Sequence, residues 1–255
     1  MTSRERFLSA MQNHVPDRVP VTPDISNYIP AGRTGLPFWE VYFTPNHPLW
    51  QAYIEAATHF RLDMWVGSCM HVPAHYDIPV TSTTEIVDFP GRDAKLRRTT
   101  WTTPDGELTQ EDICFRHEPP THISRAIKNL EQEWGKYRWL LGEPTELDME
   151  TIGSIRARTE SLNQAFGLGV SYPGFQSWEG AVEGSIQTLT YTEADHPEIL
   201  EEWHELSLAR GTRLVELFLR TKPDYLGLGG SGTLTLASPE LARKYALPAI
   251  RLWSR

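Results

Sequence analysis

Leu49, Trp50, Tyr53, Ile54, Ala57 and Phe60 repeat at helical spacing and predict a helix in the first quarter of the chain. Before it, Thr2 and Glu5 have the spacing of a capping box, and Phe7, Leu8 and Met11 form one apolar stripe, so a short amphipathic helix opens the chain and stops at Pro16. Arg18 to Val21 reads as the first strand, closed by Asp24 and followed by a long loop, Ile25 to Asn46, rich in Pro, Gly and aromatics. Asp63 to Gly67 is the second strand. Glu85 to Phe115 departs from the alternation: Pro104-Asp105-Gly106 supplies turn chemistry between two Thr-rich runs, which predicts an antiparallel hairpin.

Farther along, Ile123, Ile127, Leu130 and Trp134 mark a helix, and Thr145 to Asp148 cap another that runs to about Leu162. Phe166 to Tyr172 is the third strand. Trp178, Ala181, Val182, Ile186 and Leu189 define a helix capped by Ser177, and Asp195 to Glu198 start the longest one, with Ile199, Trp203, Leu206 and Leu217 facing inward. Tyr225 to Leu228 is the fourth strand. Glycines follow it, and Ser238-Pro239-Glu240 opens a helix that Pro248 is expected to interrupt after about two turns.

Strands alternating with helices predict an α/β fold with parallel strands, in one domain over residues 1–255. A net charge of −9 argues against nucleic acid or an anionic membrane surface as a partner. The chain has no apolar run long enough to span a membrane and no leader-like start, and Cys69 and Cys114 make no disulfide framework; a cytoplasmic protein is the expectation. Gly227, Gly229 and Gly232 match G-x-G-x-x-G, but Thr233 to Ala237 separate them from the next helix and no acidic residue sits near Ile250. They read as a loop, not a dinucleotide site.

The opening RERFLSAMQNHVPDRVPV and the later strand, glycine loop and SPELARKYALPAI resemble the uroporphyrinogen decarboxylase superfamily. The resemblance implies a (β/α)₈ TIM barrel, present here as a partial, open barrel with the hairpin lying outside it. It also implies an active site at the carboxyl ends of the strands. Ala31-Gly32-Arg33 is similar to the family segment whose two arginines grip tetrapyrrole carboxylates, but Ile29 stands where the first arginine belongs. The family's aspartate after strand two falls on Cys69-Met70, and its tyrosine after strand three falls near Gly180. With those groups missing, the chain looks closer to the corrinoid-dependent methyltransferase branch, which resembles methylcobalamin:coenzyme M methyltransferase. The implied function is methyl transfer to a thiol, or from a methylated substrate, with a corrinoid protein as partner. The alternative is uroporphyrinogen decarboxylase itself, in porphyrin biosynthesis.

Candidate site residues follow. Arg33 is an anion anchor or a solvated loop residue; Asp24 is a catalytic-face carboxylate or the cap of a turn before Ser26; Tyr172 ends the third strand in the same relation. Cys69, His71 and His75 could hold zinc through mixed thiolate and imidazole ligands, or be an ordinary loop. In the methyltransferase branch the zinc that activates the thiol is held by later strands, so the resemblance carries those ligands onto no residue here. The expected partners are a small-molecule substrate, a corrinoid protein and a second copy in a homodimer. Because four strands do not close a barrel, the chain is also expected to be a non-catalytic fragment whose last strand leaves an open edge prone to association.

Overall fold

The structure is a computed structural model that describes residues 1–63, 71–230 and 232–255. Its amino-terminal quarter is helical: α1 (Ser3–Met11), α2 (Tyr28–Arg33), α3 (Phe38–Tyr42) and α4 (Leu49–Phe60). The capping box of α1 forms as expected, with the Glu5 N–H donating to Thr2 Oγ1 and the Thr2 N–H to the Glu5 carboxylate. The stretch expected to be a bare loop contains α2 and α3. Phe38, Trp39 and Val41 pack there against Ala52 of α4, so burial of the aromatics organises a segment whose glycines and prolines suggest none.

Residues 18–21 are not a strand. Pro20 lacks an N–H, and among the described residues the segment is held to Asp63 by bonds from the Asp63 N–H to the Val21 carbonyl at 2.9 Å, from the Val21 N–H to Asp63 Oδ2 at 3.1 Å and from the Arg18 guanidinium to Asp63 Oδ2 at 2.8 Å, not by a ladder. Val19 is left 81% exposed. The expected second strand runs into residues 64–67, outside the described residues.

Next come β1 (Ala74–Tyr76), β2 (Thr81–Asp88), β3 (Ala94–Thr103), β4 (Gly106–Phe115) and β5 (Thr121–Ser124). The expected hairpin is β3 and β4, paired from Thr103↔Gly106 to Ala94↔Phe115, and it is the middle of a four-stranded antiparallel sheet in the order β2-β3-β4-β5. Ile123 belongs to β5, so the helix expected from residue 123 begins only at α5 (Leu130–Tyr137), capped by Asn129. β6 (Pro144–Leu147) pairs antiparallel with β1, and α6 (Met149–Ser161) follows with Asp148 at its N-cap.

β7 (Gly167–Val170) and β8 (Tyr225–Leu228) are the expected third and fourth strands, and they run parallel in register Gly167↔Tyr225 to Val170↔Leu228. Between them the helix expected from Ser177 is split into α7 (Phe175–Trp178) and α8 (Ser185–Asp195). Val182 is taken into a parallel bridge with Ile127, and Gly184 takes a φ of 76°, outside the helical region. α9 (Pro197–Leu219) is the longest helix described. Phe166, Leu168 and Val170 pack against Ile152 and Ile155 of α6 and against Leu214, Val215 and Phe218 of α9, which places the main core on one face of the parallel pair.

After β8, α10 (Pro239–Leu241) starts at the Ser238 cap as read from sequence. Pro248 does not stop the helix. A π-helical stretch, Ala242–Ala246, widens the coil just before it, and α11 (Leu247–Trp253) continues with Pro248 in its first turn, where a missing N–H costs little. Among the described residues the strands fall into three separate sheets and close no barrel, so the chain is mixed α/β. No helix among them is long and apolar enough to cross a membrane.

Candidate active-site face

The carboxyl ends of β7 and β8 are where a parallel sheet presents ligands. Glycine shapes this end. Gly229 has a φ of 80°, and a Cβ on it would lie 2.5 Å from the Tyr172 ring. Gly174, at a φ of 134°, turns the chain into α7. The two loops enclose a cleft lined by Tyr172, Gly174, Gln176, Thr233, Leu241 and Tyr245. Its enclosed room, about 10 Å³, suits one water molecule and not a substrate. Among the described residues Gln176 Oε1 is buried without a hydrogen-bond partner, and its amide lies over Gly230, whose Cβ, if present, would be 3.2 Å from that oxygen. No sequence motif marks Gln176; its place six residues past β7 is the one available signal. The cleft floor is rigid: the Tyr245 hydroxyl donates to Glu193, and Lys244 bonds Glu193 and Glu201 at 2.9 Å each. Burial first, then the Glu193 bond, raises the Tyr245 pKa, so this phenol stays protonated.

The sequence-derived candidates are dispersed. Tyr172 points to the helix side of the sheet, stacked on Trp253 with centroids 5.7 Å apart, and burial raises its pKa. It serves the core, although its ring also borders the cleft. Asp24 is exposed and accepts the Ser26 N–H at 2.7 Å, which is the turn-capping role. Arg33 is exposed at the end of α2, with no ion pair among the described residues. Ile29 lies four residues earlier on the same helical face and is 43% exposed.

Cys69 lies outside the described residues. His71 forms a parallel bridge with Gly169, in the middle of β7. Protein packed around the ring, with repulsion from Arg210 second, lowers its pKa even though solvent reaches the residue. His75 is exposed on β1 opposite Glu146. Among the described residues no three His, Cys, Asp or Glu side chains gather as a metal requires. Two imidazoles do not make a zinc centre, and no step through zinc is derived. Cys114, the other cysteine, is a core residue: burial pushes its thiol up to about 12, which removes it as a nucleophile at neutral pH.

A polar cluster that sequence did not single out sits on the antiparallel sheet. Buried Asp112 accepts from His122 Nδ1 at 2.5 Å and from Arg97 at 2.8 Å, and the Arg97 guanidinium lies 4.4 Å from the centroid of the Phe43 ring. Burial would raise the carboxyl; His122 and Arg97 overcome it and hold its pKa below the usual range. The cluster joins β3, β4 and β5 and has no nucleophile in it, so its role is to fix the sheet.

Comparison with protein-family models, with curated proteins and with solved structures finds no match to this chain.

Proposed function

We propose that the chain is a member of the uroporphyrinogen decarboxylase superfamily from its corrinoid-linked methyltransferase side, acting on a small substrate with a single anionic group. The fold reading draws support from the order of three contacts: a backbone bond from Asp63 to Val21, a parallel bridge of His71 with Gly169, and the parallel pair β7 and β8. That order is the one successive strands of a (β/α)₈ barrel would have, although among the described residues β7 and β8 alone form a parallel pair of strands. α1 lies across their amino ends, where Arg4 bonds Asp224 at 2.8 Å and Phe7 meets Tyr225 edge to face.

The observation that carries the choice of branch is the α2 face. Two guanidinium forks one helical turn apart would clamp a polycarboxylate; here Arg33 stands beside an exposed isoleucine, which suits one anionic group next to apolar surface. Methyl transfer balances simply. A bound methylcorrinoid would supply the methyl group and retain the electron pair of the bond it loses, while Arg33 would hold the anionic end of a thiol whose proton would go to solvent and whose sulfur would take the methyl.

The test is a pair of binding titrations with uroporphyrin and with a short thiol sulfonate. Arg33→Ala should weaken the sulfonate roughly tenfold or more, the loss of one charge-assisted contact, and Ile29→Arg should strengthen uroporphyrin. Tight uroporphyrin binding by the unsubstituted chain, insensitive to Ile29→Arg, would contradict the reading.

A further inference from the structure

The outer edge of the four-stranded sheet is β2, and all eight of its residues are exposed. Its inner side is bonded to β3 from Thr81↔Thr102 to Asp88↔Lys95. Just past its end the Phe89 N–H donates to the Ala94 carbonyl at 2.9 Å, and that bond sets the phase of the ladder. Bonded residues alternate in an antiparallel pair, so Thr81, Thr83, Glu85 and Val87 turn their N–H and C=O toward β3, while Ser82, Thr84, Ile86 and Asp88 turn theirs outward. Among the described residues no strand lies beyond β2. Of the usual shields of an edge it has charge alone, at Glu85 and Asp88: there is no proline or lysine between Thr81 and Asp88, and Ser, Thr, Ile and Val supply the other six of the eight residues.

We infer that this edge pairs with the same edge of a second copy of the chain about a two-fold axis, joining the two sheets into one. An antiparallel strand laid on itself brings its outward donors to its own outward acceptors, so no second sequence is needed. Overlap and charge select the register, because centring on Thr84 pairs more of β2 than centring on Ser82 or Ile86 does. Pairing centred on Glu85 would set two carboxylates side by side in a non-bonded pair, the closest approach an antiparallel ladder has. Centred on Thr84, Thr84 bonds Thr84 of the second copy, Ser82 faces Ile86, and each Glu85 faces a Thr83. The shared surface of one strand edge is below the roughly 1,200 Å² of a standard interface, so the dimer is concentration-dependent.

Sedimentation velocity of the full chain over a dilution series should show a monomer–dimer equilibrium. Thr84→Pro removes an outward N–H and spares the β2–β3 ladder; it should weaken dimerisation at least about tenfold, or roughly 1.4 kcal/mol. Thr84→Cys should give a disulfide-linked dimer under mild oxidation, because a bonded pair spaces its Cα atoms by about 5.5 Å, within disulfide range. Ile86→Cys, which faces Ser82 and not itself, should not. A monomer at every concentration, ill-defined aggregates, or a dimer indifferent to Thr84→Pro would overturn the inference, and if the proline variant does not fold, the two cysteine variants decide it alone.

Discussion

Asp63 shows how single residues hold this chain together. Its carboxylate is fully buried and takes Arg6 at 2.6 Å, Arg18 at 2.8 Å and the Val21 N–H at 3.1 Å. Asp63→Asn leaves Arg6 short of a buried counter-charge and should cost about 3 kcal/mol in urea denaturation. Burial alone would raise the Asp63 carboxyl, but the Val21 N–H and Arg6 hold it low, and Arg6 does the same for Asp17. Both groups are therefore depressed on folding. Their stabilisation is complete above the unfolded value of about 4 and is lost as pH falls through the folded values, so Asp63→Asn should flatten the loss of stability between neutral and acid pH. Gly35 and Gly229 have similar φ, 72° and 80°, but different surroundings. Gly35→Ala meets no atom within 4 Å and should cost only the left-handed strain, about 1 kcal/mol, whereas Gly229→Ala drives a methyl into Tyr172 and should cost clearly more by the same denaturation measurement. Asp63 was legible only as a strand residue. Its partners lie in another helix and another loop, and ion pairing across such a separation leaves no periodic trace in sequence.

Elements were legible where local chemistry decides them. The capping box at Thr2, the Pro197 start of α9 and the Ser238-Pro239 start of α10 form as read, and of the Thr145 to Asp148 segment Asp148 is the cap while Thr145 belongs to β6. Asp148→Ala should therefore destabilise by about 1 kcal/mol, since its carboxylate takes the Thr151 N–H at 3.0 Å, and the loss is measurable by chemical denaturation. Elements failed where a distant partner decides. Ile127 and Val182 have helical spacing to their neighbours, but each is more fully used in a bridge to the other. Pro248 was read as a stop, and the preceding π turn accommodates it instead. Of the candidate site, Asp24 took the turn-capping alternative and Tyr172 went to the helix side, because a strand's side-chain alternation, not its end, fixes which face a residue serves.

At the scale of the molecule, the parallel pair β7–β8, with helices packed on one face and α1 across its amino ends, is the part of the α/β expectation that the fold repeats. The expected hairpin became a four-stranded sheet because β2 and β5 add their backbone bonds to its two sides. β2 carries no apolar alternation to announce it, with Thr and Ser at half of its positions and solvent on both faces. The functional proposal rests on Arg33 without a second arginine beside it, and on the missing decarboxylase groups at Cys69-Met70 and Gly180. The most direct measurement is to incubate the purified chain with methylcobalamin and a thiol sulfonate, following the cobalamin spectrum and the methyl thioether by mass spectrometry. The proposal predicts demethylated cobalamin and methyl thioether in equal amounts, with Arg33→Ala lowering the rate at limiting thiol about tenfold; conversion of uroporphyrinogen to coproporphyrinogen, with methylcobalamin left intact, would contradict it.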